Sequence, residues 1–100
     1  MSDYNGWTNY ETWNVKLWLD NDEYGQALQR EFLDDAKQTP KNPVWTIEET
    51  VKFTLADILK DYIEENNPLN DQASMYSDIL TAALQQVNWN EIAQNIIDDN

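Results

Sequence analysis

The sequence predicts an all-α protein, a compact bundle of about five helices forming one acidic domain over residues 1–100. Three observations lead there. Apolar residues recur at spacings of three and four through most of the chain, which is the period of a helix face. Helix-start signals, in which Thr or Asn is followed three residues later by Glu, precede several of these stretches. Between them lie clusters that a helix does not cross, Thr39-Pro40-Lys41-Asn42-Pro43 and Asn66-Asn67-Pro68.

Taken in order, Met1 to Gly6 reads as a short extended tail. Thr8 and Glu11 form a capping box for a first helix reaching about Leu19, with Tyr10, Trp13 and Leu17 on its main face. Val15, Trp18 and Leu19 add a second apolar face, so this helix is expected to be central and mostly buried. The alternation of Trp13, Val15, Leu17 and Leu19 also fits a strand; the cap and the lack of a hairpin partner favour the helix.

A second helix from about Asp22 to Gln38, with Asp22 or Asn21 as its cap, carries Tyr24, Leu28, Phe32 and Ala36. Thr46 and Glu49 repeat the capping box and open a third, with Ile47, Val51, Leu55, Ile58, Tyr62 and Ile63 in register as far as Glu65. A fourth, from about Asp71 to Gln86, is carried by Tyr76, Ile79, Leu80, Ala83, Leu84 and Val87. Asn88 with Glu91 starts a short fifth holding Trp89, Ile92, Ala93, Ile96 and Ile97.

Composition narrows the function. One hundred residues suffice to bury roughly 60–70% of the unfolded chain's surface in one core. Nineteen Asp and Glu face six Lys and Arg, a formal net charge of −13 with no histidine. Contact with nucleic acid or an anionic membrane needs cations, so direct binding to either is not expected, and a charged partner should be basic. The absence of cysteine excludes disulfides and thiolate chemistry, and the absence of histidine removes the commonest general base and metal ligand. The start of the chain has neither a basic region nor an apolar run, and no stretch reaches the roughly 18 apolar residues of a membrane span, so a cytoplasmic location is expected.

Four acidic clusters stand out. Asp57, Asp61 and Glu64 occupy one lane of the third helix, extended by Glu65; the others are Asp20, Asp22 and Glu23, then Glu31, Asp34 and Asp35, and finally Asp98 and Asp99. Like charges at i, i+4 repel by a few tenths of a kcal/mol per pair, which a helix carries readily if the lane has a use. Carboxylates about 5–6 Å apart at Cβ approximate the spacing of phosphates along a nucleic-acid strand. The bland alternative is a solvated face that keeps a small protein soluble.

Asp20, Asp22, Gly25 and Glu31 also fall at positions 1, 3, 6 and 12 of an EF-hand loop. Tyr24, Ala27 and Leu28 stand where that loop needs ligands and a packing residue, so calcium is not expected, nor any other metal or cofactor. The five tryptophans suit core packing, with Trp18, off the main stripe, and Trp45, in a loop, as the candidates for aromatic anchors on a partner. Paired carboxylates could act as acid and base, but a five-helix domain of this length has little room for a cleft, and an enzymatic role is not expected.

The opening stretch Asn5-Gly6-Trp7-Thr8-Asn9-Tyr10-Glu11-Thr12-Trp13-Asn14, continuing through Leu17-Trp18-Leu19-Asp20-Asn21-Asp22-Glu23, resembles the signature of a largely uncharacterised family of small proteins of bacteriophages, plasmids and bacteria. Val87-Asn88-Trp89-Asn90-Glu91-Ile92-Ala93 is similar to that family's C-terminal motif. The resemblance implies a mobile-element setting and brings no catalytic residues. Size, charge and helix content are similar in type to acidic anti-restriction and anti-CRISPR proteins.

Two readings follow. In the first, the chain mimics nucleic acid and inhibits a basic nucleic-acid-binding protein by occupying its groove. In the second, it is an interaction or assembly module whose contact is hydrophobic, and its charge serves solubility.

Overall fold

The computed structural model describes residues 4–100, and among these there are five helices and no strand. They are α1 (Tyr10–Asp20), α2 (Glu23–Lys37), α3 (Ile47–Glu65), α4 (Met75–Gln85) and α5 (Trp89–Asp98). The central element is α3, which packs on α5 along one side and on α2 along another, while α1 closes over α2 and α5. Leu55, Leu59, Ile92, Ala93 and Ala36 are fully enclosed at the centre, with Leu19, Leu33, Ala56, Val87 and Ile96 around them. Trp7 and Trp89 pack against this cluster. The Thr46–Glu49 capping box forms as the sequence predicts, and α3 ends at Glu65. Ile47, expected in the core stripe, is exposed because the first turn of α3 runs out past the core.

The start of the chain departs from expectation. Residues 1–3 of the anticipated tail lie outside the described residues. From Tyr4 the chain makes a turn closed by the Trp7 N–H on the Tyr4 carbonyl at 2.9 Å, with Asn5 and Gly6 at φ of +53° and +89°. Two successive positive φ values are the mark of a type I′ turn, which Asn-Gly favours. Thr8 does not cap α1. Asn9 does, its Oδ1 accepting the Thr12 N–H at 2.9 Å and the Thr12 hydroxyl at 2.6 Å.

Moving the cap by one residue frees Thr8 and Thr12 to join the chain's two ends. The Thr12 Oγ1 accepts the Asn88 N–H at 2.8 Å, Asn9 Nδ2 donates to the Gln86 carbonyl at 2.7 Å, and Thr8 N–H donates to both Glu91 carboxylate oxygens at 3.1 and 3.2 Å. Asn88 in turn caps α5 by accepting the Glu91 N–H at 3.1 Å. The Thr8 amide, just before the Asn9 cap of α1, and the amide of Asn88, the cap of α5, are thus satisfied across the junction, while the caps themselves serve Thr12 and Glu91 within the first turns. The two sequence motifs are halves of one lock.

The lock rotates α1. Its inward face consists of Thr12, Lys16 and Leu19 with Val15 half-buried, whereas Tyr10 and Leu17 of the expected stripe are exposed. The helix is therefore peripheral, and a pattern of apolar residues misreported its face because the buried side chains include two polar ones. Trp13 lies instead in an aromatic cluster on the outer side, 5.5 Å from Tyr10 and 6.4 Å from Tyr4 between ring centroids.

Polar groups also build the α1–α2 corner. Of the two caps the sequence allows, Asp22 is the one that caps α2, accepting the Gly25 N–H at 2.7 Å. Gln29 Nε2 reaches the Leu19 carbonyl at 3.2 Å and Asp20 Oδ1 at 2.9 Å, and Gln26 Nε2 reaches the Asp20 carbonyl at 3.0 Å, so α2 satisfies carbonyls at the end of α1. The core face of α2 is accordingly Gly25, Gln29, Leu33 and Ala36. Tyr24, assigned to that stripe by its spacing, is exposed, and Leu28 and Phe32 are half-buried. Phe32 meets Tyr62 of α3 edge-on at 5.3 Å, and a hydrogen bond with Tyr24, then burial, holds the Tyr62 hydroxyl above its usual pKa.

Lys16 is buried and donates to the half-exposed carboxylate of Asp20 at 2.6 and 2.8 Å. Breaking such a pair from the buried side is cheaper than from the exposed side, because a stranded Asp20 can be hydrated while a stranded Lys16 cannot. Lys16→Met is expected to change stability by less than about 1 kcal/mol and Asp20→Ala to lower it by about 1–3 kcal/mol. Urea titration of both variants checks the order; equal losses would show that the pair is symmetric.

The fourth helix starts at Met75, capped by Ser74 Oγ on the Ser77 N–H at 3.1 Å, and not at Asp71. Residues 66–73 form successive turns instead: Asn67 Oδ1 accepts the Leu69 N–H at 2.8 Å, and Ser77 Oγ returns to the Leu69 carbonyl at 3.2 Å. Local Asn side-chain bonds beside Pro68 compete with helix there. No residue of α4 is buried, and Tyr76 and Ile79, expected in the core, are exposed.

Candidate partner-binding surface

The sequence-predicted acidic residues divide into two kinds. Asp57, Asp61, Glu64 and Glu65 are all exposed on the outer side of α3, opposite its buried Leu55, Ala56 and Leu59. Helical spacing explains the lane, since the apolar residues that fix α3 in the core leave these positions pointing to solvent. Asp61, Glu64 and Glu65 line a shallow open hollow together with Asn70 from the turn beyond α3. Glu31, Asp34 and Asp35 are exposed on α2, as is Glu23 at its start.

Asp20 and Asp22 are exposed too, but are also engaged in the fold. Asp20 is held by Lys16 and Gln29, and Asp22 by its capping bond. Asp20 borders a different hollow whose walls include Lys16 and Arg30 beside Asp99, so charge there is mixed. Both carboxylates nevertheless stand exposed at the surface. Across the EF-hand spacing, residues from Glu23 onward form helix α2, and Gly25 lies at the corner with α1. Among the described residues no three acidic side chains converge as metal ligands would.

The acidic lane holds one cation, Lys60, three residues after Asp57 and four before Glu64, and it is exposed and forms no salt bridge there. Among the described residues the only salt bridge is Lys16–Asp20, so no other described carboxylate has a cation within 4 Å. The lane is an array of exposed, predominantly negative charge on one helix, with the geometry to attract cations.

The anchor candidates differ from each other. Trp18 is 66% exposed on the outer side of α1, as its position off the stripe predicts. Trp45 is half-buried because its ring stacks edge-on against Phe53 at 4.8 Å, and the exposed apolar side chains beside it are Val44 and Ile47. Sequence reasoning missed the exposed edge of α4, formed by Met75, Tyr76 and Ile79. The signal for it was the low charge of that segment, in which Asp78 is the one ionisable carboxylate, but low charge reads equally as burial.

No helix among the described residues is long and apolar enough to cross a membrane. Neither the curated proteins nor the solved structures give a match to the chain. The family comparison does: the match extends over residues 1–100, and the chain belongs to DUF7249, a family of unknown function.

Proposed function

We propose that the chain is a non-enzymatic, acidic binding protein that occupies the basic groove of a nucleic-acid-binding protein in place of its nucleic acid. The observation that carries this reading is the exposed lane Asp57–Asp61–Glu64–Glu65 on the outside of the best-anchored helix, where four carboxylates outnumber the single Lys60 and none is held in a salt bridge. A carboxylate array on a fixed scaffold presents charge at phosphate-like intervals, and a formal net charge of −13 adds long-range attraction to a basic surface. The motif resemblance supports a mobile-element setting, in which small acidic proteins of the anti-restriction and anti-CRISPR type block host-defence enzymes. That parallel is one of type: size, charge and helix content.

The test is salt-dependent capture of partners from a bacterial host lysate, followed by competition with duplex DNA or RNA. A partner bound at about 50 mM salt is expected to elute by about 500 mM and to be displaced by the nucleic acid. Reversing Asp57, Asp61 and Glu64 to Lys is expected to weaken binding by about tenfold or more, chiefly through the association rate. Salt-insensitive binding that survives charge reversal would sink the mimic. It would instead favour a hydrophobic interaction module, a reading for which the exposure of Trp18 speaks.

A further inference from the structure

The helix least tied to the rest of the molecule is also the least charged. α4 makes at most a marginal contact with any other helix, and none of its residues is buried. Its half-buried side chains, Ser77, Leu80, Ala83 and Leu84, form one side. Beside them runs an exposed apolar edge: Met75, Tyr76 and Ile79 are 64, 68 and 61% exposed, and Ala82 continues the line one turn on. Positions 75, 79 and 82 follow the i, i+4, i+7 pattern by which a helix seats in an apolar groove. Tertiary packing has already satisfied the other side, so this edge is surplus to the fold.

Charge and size indicate what covers it. Residues 61–100 carry eight Asp and Glu and no Lys or Arg; Asp78 lies on α4 itself, Asp71 precedes it in the chain, and Glu64 of α3 shares a hollow with Thr81 and Gln85 of α4. A second copy would bring the same acids against it. An 11-residue helix is only about 16 Å long, and two such edges face to face fall short of the ~800 Å² per partner of a stable interface. A groove that wraps the helix and carries cations on its rims meets both conditions.

We propose that the Met75–Tyr76–Ile79 edge of α4 is an apolar anchor for a partner protein whose groove has an apolar floor and rims of Lys or Arg. The inference rests on the proposed basic partner and adds the contact that would give such a complex residence time, since exposed charge mainly governs encounter.

The probe is a synthetic amphipathic peptide of about three heptads, with Leu on one stripe and Lys on both flanks, titrated calorimetrically into the full chain at about 150 mM salt. Tyr76→Ser/Ile79→Ser is expected to weaken binding at least about tenfold, with an unchanged circular dichroism spectrum because both side chains are on the surface. A peptide with Gln in place of Lys should lose a similar factor. Affinity of the double variant within about twofold of the parent would overturn the proposal. So would a dimer of the unliganded chain, seen by sedimentation, that the double variant converts to monomer, since the occupant would then be a second copy. The Asp57, Asp61 and Glu64 reversal separates the two readings: if it leaves peptide binding intact while Tyr76→Ser/Ile79→Ser abolishes it, the anchor stands and the mimic loses support.

Discussion

Replacing Gly25 with alanine is expected to lower stability by about 2–4 kcal/mol, although alanine is the better helix former. The intrinsic gain is about 1 kcal/mol for an exposed interior position. Against it, a Cβ at Gly25 would overlap the carbonyl oxygen of Leu19 and lie 3.0 Å from its carbonyl carbon. Both obstacles are backbone, so no side-chain rotation relieves them. The end of α1 and the start of α2 must separate, which loosens the bonds of Gln26 and Gln29 to the last carbonyls of α1. At roughly 4–8 °C per kcal/mol for a domain of this size, the melting temperature should fall by about 10–25 °C. Thermal denaturation followed by circular dichroism checks this. A melting temperature equal to or above the parent's would mean that the corner is looser than the close approach implies. Gly6→Ala is the informative control: nothing lies within 4 Å of its Cβ position, and only the φ of +89° opposes it. Its loss should be about 1–2 kcal/mol.

Thr12→Val should cost about 2–4 kcal/mol, nearly as much, while preserving shape. Thr12 is fully buried, and its hydroxyl both donates to Asn9 and accepts from the Asn88 amide. Valine fills the same space but leaves the part-buried Asn88 N–H without its acceptor, at about 1–3 kcal/mol, and slackens the Asn9 cap, itself typically ~1 kcal/mol. Thr12→Ser keeps both bonds and loses only a methyl, so it should cost about 1 kcal/mol. Amide exchange reports the mechanism directly. In Thr12→Val the amides of Asn88 and Glu91 should exchange faster than those of the α3 centre, and uniform protection across the chain would refute the lock.

Much of the fold was legible locally. The Thr46–Glu49 box, the Asp22 cap, the Asn88 start of α5 and the proline-marked loops follow from side chains within a few residues of each other. The lane on α3 was legible for the same reason, because one helix with an apolar stripe has one outward side. What went astray concerned faces. Spacing alone placed Tyr10, Trp13 and Leu17 on the main face and drew no attention to Thr12 and Lys16, yet the hydroxyl of Thr12 and the ammonium of Lys16 are buried because each finds a partner, one of them seventy-six residues away. Tyr76 and Ile79 were assigned to the core because an apolar helix normally has one, and α4 lies where the core has already closed.

By itself, then, the sequence determined where helices start and stop and how much charge the surface must carry. Both depend on short-range chemistry: caps, breakers, periodicity and composition. The tertiary structure alone decided which side of α1 turns inward, why Asn9, Thr12, Asn88 and Glu91 belong together, which carboxylates are bound into the fold and which stand free, and that α4 keeps an apolar edge in water. Those outcomes depend on which residues, distant in sequence, satisfy each other's polar groups when the helices dock, and no local pattern specifies that pairing.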